Sequence, residues 1–216
     1  MTQVYASTEL STPTRYRDRT TYDKTAVHAV LDEALQCNVA FIRDGRPVSL
    51  PTMLARDGET IYVHGSTGGR FALLDGEPIC ITVTLLDALV LARSWMHHSV
   101  GFRSVVVHGE ARVVREKEER LEAMRALIEK MHPGRSDQSR PPTAKEDAAT
   151  AIVALKLETV SLKIRADQVA DEESDLGGPY WAGTIAVSTQ RGQIRPAPDL
   201  AEGIALPAAL ECHGAG

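Results

Sequence analysis

The hydrophobic positions of the chain follow two spacings, and these predict two helices among a larger number of strands. A helical spacing begins after Thr21 or Asp23, which are candidate N-caps, and ends at Cys37-Asn38. A second helix is predicted from Glu116 to Met131, where His132-Pro133-Gly134 stops it. The apolar face of the first helix consists of Val27, Val30, Leu31, Ala34 and Leu35, and that of the second of Leu121, Met124, Leu127, Ile128 and Met131.

Alternating apolar positions between and beyond these helices predict strands. The predicted strands span residues 39–42, 47–55, 60–64, 79–85 and 102–114. Asp44-Gly45 and Asp57-Gly58 separate the first three strands, and such pairs favour tight hairpin turns because both residues tolerate a positive φ. Three strands joined by two tight turns form an antiparallel meander, which excludes a dinucleotide-binding fold built from βαβ units.

Two irregularities in the strand pattern predict where the sheet ends or bends. Pro51 cannot donate to a ladder, so its strand is expected at an edge, at a bulge or facing a ligand. Further on, the alternation over 153–157 is out of phase by one residue with the alternation over 160–164. A bulge or a sharp bend near Glu158-Thr159 is therefore expected, as at the corner of a barrel. The pattern as a whole indicates a mainly β, α+β fold.

Composition and charge narrow the class of protein. The 216 residues are 43% hydrophobic and 25% charged, which is typical of a soluble globular protein with a sizeable core. A net charge of -5 and the lack of a dense Lys and Arg cluster argue against nucleic-acid binding. No apolar run approaches the roughly 20 residues that span a bilayer, and the N-terminus has no apolar segment of the secretory kind. A cytoplasmic protein that does not bind membranes is expected.

The two ends of the chain differ from its middle. Residues 1–20 are rich in Thr, Ser and Arg without periodicity, which predicts an arm that is disordered or lies on a partner. A single domain is expected over residues 21–200, followed by a tail at 201–216. The cysteines are odd in number and widely spaced, which suits a reducing compartment and predicts no metal site. They are Cys37, Cys80 and Cys212.

A glycine-rich stretch, Gly65-Ser66-Thr67-Gly68-Gly69-Arg70, is a candidate phosphate site. Glycines allow a tight backbone path with exposed N–H groups, hydroxyls add donors, and Arg70 adds a fixed cation. The stretch is not a Walker motif, because the Gly-Lys-Ser/Thr ending is missing. A plain turn is the alternative interpretation.

A polar patch interrupts the apolar stretch from Asp87 to Val114. It contains Ser94, His97, His98 and Ser99, and leads through Arg103-Ser104 into a β-branched run. Polar groups at the mouth of an apolar core indicate a place for a cofactor, and an ordinary loop and strand is the alternative. The adjacent histidines could be a metal or haem pair, but no carboxylate or third histidine lies nearby at ligand spacing.

Three segments together resemble a known family. LARSWMHHSVGFRSVVVHGEARVV, IYVHGSTGGR and the late WAG are similar to the pyridoxamine 5′-phosphate oxidase-related, FMN-binding split-barrel family, in the branch that includes nitroimidazole-resistance-like flavoproteins. The similarity covers about residues 15–200. It implies a six-stranded antiparallel split β-barrel with flanking helices. It also implies a homodimer with FMN in each of two clefts between the subunits.

The resemblance implies roles for individual residues. Arg70 would contact the FMN phosphate, the second strand would run along the isoalloxazine ring, and Trp181 would reach the other subunit's flavin. His64 would lie beside the flavin, either as a catalytic proton donor or as a hydrogen-bond donor. Apart from the resemblance, Arg103 has two candidate roles, to clamp an anionic substrate or to pair with a carboxylate at the barrel rim. The implied cofactor-binding residues are Ser49, Leu50, Pro51, Thr52, His64, Gly65, Ser66, Gly69, Arg70, Ser99, Arg103, Ser104 and Trp181.

The implied function is that of an FMN-dependent oxidoreductase acting on a small molecule. No Rossmann fingerprint is present, so a nicotinamide donor would have to visit the flavin cleft. Ser49 stands where the true oxidases have a basic residue, which argues against pyridoxamine phosphate oxidase activity itself. The alternatives are a deazaflavin-dependent reductase on the same barrel and a non-catalytic flavin- or haem-binding module.

Overall fold

The structure is a computed structural model that describes residues 3–211. Cys37 and Cys80 are free thiols, whereas Cys212 and the rest of the predicted tail beyond residue 211 lie outside the described residues. The helices and strands, in chain order, are β1 (Thr20–Thr21), α1 (Lys24–Glu33), β2 (Gln36–Arg43), β3 (Arg46–Asp57), β4 (Thr60–Ser66), β5 (Pro78–Leu91), β6 (Ser99–Glu110), β7 (Arg112–Val113), α2 (Lys117–Met131), α3 (Ala144–Ala149), β8 (Thr150–Lys156), β9 (Thr159–Arg165), β10 (Gly183–Ala186) and α4 (Ala208–Glu211).

The strands form one antiparallel sheet that curls into a barrel. Its order is β1-β9-β6-β5-β2-β3-β4-β8-β7, and β10 pairs with β5. The chain passes from β6 to β7 and from β8 to β9, and β6 pairs with β9 while β7 pairs with β8. The β6–β7 and β8–β9 segments therefore act as two long bent strands that lie side by side and join the ends of the sheet. Together with β2, β3, β4 and β5 they make a barrel of six strands, which confirms the predicted mainly β split barrel.

Helix α1 begins where its capping signal predicts. The Asp23 side chain accepts a hydrogen bond from the Ala26 N–H at 2.7 Å, and Val27, Val30 and Leu31 are buried in the main core. The helix ends at Glu33, however, and not at 37–38 as predicted. The reason is that β2 already begins at Gln36, with alternate residues turned into the barrel.

The hairpin between β2 and β3 fixes the register of the barrel. Asp44 and Gly45 have φ values of 51° and 71°, which confirms the predicted tight turn. Arg43 pairs with Arg46 across this turn. In a two-residue hairpin the pair that closes the turn is hydrogen-bonded, and bonded and non-bonded pairs alternate from there. The residues of β3 at non-bonded pairs are therefore 47, 49, 51 and 53. Pro47 and Pro51 both fall at non-bonded positions, where a missing N–H disturbs no ladder.

Two thirds of β3 lies at a free edge, as Pro51 predicts. Its first eight residues, 46–53, pair with β2 alone among the described strands. Strand β4 pairs with residues 54–57 only. The phase slip near Glu158-Thr159 marks a corner: the stretch that the sequence suggests as one strand is two, β8 beside β4 and β9 beside β6.

Residues 3–20, which the sequence predicts to be an arm that is disordered or lies on a partner, contact the domain itself in this structure. Tyr5 is only 5% exposed and belongs to the main core. Its hydroxyl donates to Glu59 at 2.9 Å and lies 2.9 Å from His28 Nε2. The segment therefore packs on its own domain, because one buried aromatic ring anchors a polar stretch without periodicity.

Helix α2 covers a smaller second cluster outside the barrel. This cluster contains Tyr62, Val114, Ala123, Ile152 and Ala154. The predicted bounds of the helix are confirmed to within one residue. Its predicted apolar face is only partly right, since Leu121 and Met131 are exposed. Within residues 3–211, no helix combines the length and the apolar character needed to cross a membrane.

Candidate functional site

A cleft opens where β3 and β4 separate. Leu54 and Val63 are the last residues to pair before the strands diverge. Beyond them, residues 64–66 of β4 pair with β8 alone among the described strands, and residues 46–53 of β3 pair with β2 alone. The Thr52 hydroxyl donates to the His64 carbonyl at 3.1 Å and closes the narrow end. The cleft thus brings the predicted residues 49–52 and 64–70 onto facing walls.

His64 carries an unsatisfied buried atom at the narrow end of this cleft. Its Nδ1 is buried and has no hydrogen-bond partner among residues 3–211. A buried polar atom without a partner costs on the order of 1–3 kcal/mol. A bound molecule with a matching polar group could remove that cost. The unsatisfied nitrogen makes His64 a candidate ligand contact, and both that contact and a catalytic role for His64 stay predictions.

The glycine loop does not offer the exposed N–H groups that the sequence predicts. The Thr67 N–H donates to the Ala149 carbonyl at 2.9 Å, and the Gly68 N–H donates to the Ser66 hydroxyl at 3.2 Å. The Gly69 N–H donates to the Ser66 carbonyl at 2.8 Å. A Cβ on Gly69 would lie 3.0 Å from that oxygen, so glycine serves the close turn. A phosphate here would have to bind side chains.

Arg70 is the cation best placed for such a phosphate. It opens a 3-10 helix, Arg70–Leu73, that Phe71 anchors in the core. The Arg70 side chain is exposed, and its guanidinium forms no salt bridge within the described part of the chain. It also lines a cavity of about 190 Å³ beside the β2–β3 hairpin, together with Arg43 and Glu77. Its positive charge is therefore available to a ligand.

A second group of predicted site residues lies on β6, away from the cleft between β3 and β4. Ser99, Arg103 and Ser104 are on β6, which β5 and β2 separate from β3. At about 4.8 Å per strand, the two groups are roughly 14 Å apart. Ser104 is held in place, since its hydroxyl donates to the Val83 carbonyl at 2.9 Å and lies 3.0 Å from the Thr84 hydroxyl. One chain alone does not bring the predicted site together.

Arg103 pairs with carboxylates, which is one of its two predicted roles. Its Nη1 and Nη2 donate to Glu33 at 2.6 and 2.9 Å, and its Nε and Nη2 donate to Asp87 at 3.0 and 2.8 Å. These four bonds use four of the five guanidinium donors. They tie the end of α1 to the bulge in β5. Little is left to clamp an anionic substrate.

We expect Arg103→Leu to lower the free energy of unfolding by about 1–3 kcal/mol at pH 7, because Glu33 and Asp87 lose a shared cation. The Arg103 guanidinium lowers the pKa of Glu33 below its ordinary value of 4.5. The contribution of ionised Glu33 to the free energy of unfolding is therefore present above pH 4.5. It is lost as pH falls through the pKa of Glu33 in the folded protein. Urea unfolding at pH 7 and pH 4 measures both effects.

The matched control is Arg125→Leu. Arg125 pairs with Asp137 on the exposed surface, where such pairs contribute about 0–1 kcal/mol. A stability loss for Arg103→Leu no greater than that of the control would show that the four-bond cluster is not stabilising.

The hairpin loop, residues 92–98, carries the adjacent histidines. His97 Nδ1 contacts the Ala170 carbonyl, and His98 Nδ1 lies 2.9 Å from the Ser94 carbonyl. A carbonyl can only accept, so both Nδ1 atoms must be the protonated donors. Arg93 also pairs with Asp171 at 2.7 Å. The loop is thus fastened to the acidic segment around residue 171.

Strand β10 was not predicted from the sequence. Its four residues pair with Ala88–Leu91 of β5 and carry too little periodicity to predict a strand. They place Trp181 beside the hairpin loop. A Cβ on Gly183 would lie 2.6 Å from the Trp181 ring, so the glycine leaves room for the indole there. Trp181 is nevertheless exposed, and its contact with another subunit's flavin stays a prediction.

An open sheet face occupies the outer side of β2, β3, β5, β6 and β9. Its side chains alternate with those of the core and belong to neither hydrophobic cluster. They are half-buried or exposed and mostly small, and the charged residues of the same face, Glu110, Lys163 and Arg165, lie toward its ends. The open sheet face consists of Asn38, Ala40, Ser49, Pro51, Cys80, Thr82, Thr84, Ser104, Val106, His108, Thr159 and Ser161. Depletion of charge is typical of the centre of a protein interface.

Comparison with known proteins identifies similar chains of nearly the same length. A protein-family model described as pyridoxamine 5′-phosphate oxidase matches residues 23–164. The flavocytochrome Anf3 from Azotobacter vinelandii is 33% identical, with a TM-score of 0.91 over 98% of this chain and 100% of that one. The FAD and haem binding protein from Mycobacterium smegmatis is also 33% identical, with a TM-score of 0.85 over 91% of this chain and 97% of that one.

A more distant structure shares the fold alone. A candidate 5-nitroimidazole antibiotic resistance protein from Bacteroides thetaiotaomicron is 17% identical, with a TM-score of 0.56 over 67% of this chain and 86% of that one. None of the curated proteins matches the chain.

Proposed function

The chain belongs to the pyridoxamine 5′-phosphate oxidase family, and from this premise we propose that it binds a flavin in a cleft shared by two copies of itself. The family resemblance that the sequence motifs indicate is thereby confirmed. The observation that carries the proposal is the divergence of β3 and β4. It gathers a free strand edge, an unsatisfied histidine and an unpaired arginine on facing walls.

The cleft residues fit the parts of a flavin. At the free edge, the outward backbone groups of Ser49 and Met53 can bond the polar rim of the isoalloxazine ring, since both occupy non-bonded positions of the β2–β3 ladder. His64 Nδ1 supplies one more polar contact. Arg70 supplies a counter-charge for a phosphate. When bound, the flavin contributes hydride or electron transfer, while these residues bind it, orient it and exclude water.

Two copies of the chain would complete the site. The open sheet face carries charge only toward its ends, and it contains Ser104 from one predicted group and Ser49 from the other. Pairing two such faces about a two-fold axis can bring β6 of one copy to the β3 cleft of its partner. We therefore propose a homodimer that buries roughly 2,000 Å² or more. A cytoplasmic location and a small-molecule substrate remain part of the same proposal.

The flavin proposed from the sequence is FMN, because the glycine loop is short and nothing resembles an adenine site. A second candidate function is favoured by the two solved relatives. One is a flavocytochrome and the other binds FAD and haem, and each is 33% identical over nearly the whole chain. We propose haem as a second group on this chain, with electrons passing between flavin and haem.

The test is to purify the protein and identify what it carries. Flavin released by acid is separated by chromatography, which distinguishes FMN from FAD, and haem is assayed as its pyridine complex. We expect about one flavin per chain. A protein that carries no flavin and binds none in titration would contradict the proposal. Binding of a deazaflavin in its place would favour the deazaflavin-dependent alternative.

A further inference from the structure

Beyond β10 the chain continues as a stretch that makes few contacts with its own domain. We call residues 187–207 the extended segment. Its first N–H, that of Val187, donates to the Asp87 carbonyl at 2.9 Å. Past that bond, the extended segment forms no hydrogen bond or ion pair with any other described part of the chain. The backbone bonds donated by Leu200 and Ile204 stay within the segment and only close local turns.

The extended segment leaves apolar side chains in solvent. Leu200, Ile204 and Leu206 are 47%, 59% and 42% exposed, and no residue of the segment belongs to either hydrophobic cluster. Disordered segments typically contain few such side chains. Three of the 21 residues are prolines, which favour an extended backbone and reduce the entropy lost when it is held in place. This composition suits a segment that lies on a surface.

The place where the extended segment leaves the domain adjoins the open sheet face. Ala186, the last residue of β10, pairs with Ala88 of β5. Further along the same edge of β5, Asn38 of β2 pairs with Thr82, so the sheet has no room for the chain to continue as a strand. Asn38 and Thr82 both belong to the open sheet face. The segment therefore departs at the border of the surface that the proposed homodimer buries.

The extended segment is long enough to cross a second copy of the chain. An extended backbone rises about 3.1 Å per residue, so its 21 residues reach up to about 60 Å. A domain of this size is roughly 40 Å across. The two local turns shorten the reach, but enough remains to span much of a neighbouring subunit.

A counterpart of the extended segment is present in a solved relative. The flavocytochrome Anf3 matches 98% of the chain, whereas the segment is 21 of the 216 residues. Most of the segment must therefore fall within the match. A stretch of chain takes a definite course only when its contacts offset the entropy lost on ordering it. Since the described part of this chain supplies few such contacts, another molecule has to supply them.

We propose that the extended segment of each copy lies across the partner copy, beside the open sheet face, so that the two copies hold each other by exchanged segments. This inference rests on the homodimer proposed above and adds the element that fastens it. A second copy is the occupant that the departure point favours, because a two-fold pairing of the open sheet faces brings the partner next to it. The segment has no net charge to select an acidic or basic partner, since its charged residues are Arg191, Arg195, Asp199 and Glu202.

The first experiment follows hydrogen–deuterium exchange in the purified full-length protein at a concentration where light scattering shows a dimer. We expect the amides of the extended segment to exchange at least about tenfold more slowly than in an unstructured peptide of the same sequence. The reason is that contacts with the partner protect them. Dissociating the dimer, by dilution or by Val106→Glu on the open sheet face, should remove that protection.

The second experiment measures the dissociation constant of the dimer by sedimentation. We expect Leu200→Glu combined with Ile204→Glu to raise it at least about 100-fold, since a two-fold dimer loses each apolar contact twice. Circular dichroism should be unchanged, because both residues lie outside the hydrophobic clusters. Leu176→Glu is the matched control: Leu176 is 58% exposed and lies outside the extended segment, and its replacement should leave the dissociation constant unaltered.

The outcomes separate this inference from the function proposed above. A wild-type protein that is monomeric at micromolar concentration would overturn both the homodimer and the exchange of segments. A dimer whose extended segment exchanges as fast as the free peptide, or whose dissociation constant the double substitution leaves unchanged, would overturn the exchange of segments alone. Protection that persists in the monomer would also overturn it, because the segment would then pack on its own domain. Flavin content is judged independently in each case.

Discussion

Replacing Arg70 by alanine is expected to weaken FMN binding about 30- to 1,000-fold, or by about 2–4 kcal/mol. The reason is that a phosphate dianion loses charge-assisted, two-pronged bonds in a cleft where the loop N–H groups are already used. Riboflavin has no phosphate, so its weaker affinity should hardly change. Quenching of flavin fluorescence in titrations of both compounds measures the difference.

Two further variants sharpen this prediction. Arg70→Lys keeps the charge but not the planar fork, and should recover only part of the lost affinity. Arg125→Ala removes an exposed arginine of α2, far from the cleft along the chain, and should leave both affinities unchanged. Equal losses for FMN and riboflavin in Arg70→Ala would instead mean that Arg70 supports the loop.

Val106→Glu should convert the proposed dimer into a monomer. Val106 lies on the open sheet face between Thr82 and Ser161, and a two-fold interface would contain the new charge twice. Burying unpaired or like charges costs several kcal/mol, which raises the dissociation constant at least about 100-fold. Light scattering at micromolar concentration should show the monomer, and flavin content should fall with it.

The fold should survive this change, because Val106 is half-buried on the outside of the barrel. Leu121→Glu is the matched control: Leu121 is an exposed apolar residue of α2, and its replacement should leave mass and flavin content unaltered. A Val106→Glu monomer that retains full flavin would refute the shared cleft. An unaltered dimer would mean that the open sheet face is not the interface.

Local chemistry explains which parts of the fold the sequence could predict. Asp23 caps α1, and Asp44-Gly45 forms its hairpin, because each depends on a few neighbouring residues. The corner near 158 was also predictable, since a change of phase is visible in the chain itself. The burial of Tyr5 was not, because it depends on Glu59 and His28 being nearby in space.

The same difference between local and long-range interactions explains which parts of the candidate site the sequence could predict. The family resemblance implied the segments 49–52 and 64–70, the second of which also carries a glycine-rich motif, and the divergence of β3 from β4 brings them together. The use of the loop N–H groups was not predictable, since the Thr67 bond requires Ala149 from a distant helix. Nor did the sequence show that Arg103 forms salt bridges with Glu33 and Asp87. Ion pairs between remote residues leave no signal in periodicity.

The two prolines of β3 have a consequence for solubility. A free strand edge normally invites another chain to add a strand, which leads to aggregation. Pro47 and Pro51 occupy alternate outward positions, so half of the donors that an added strand needs along residues 47–53 are missing. The edge can stay open to a small molecule and still resist polymerising with its neighbours.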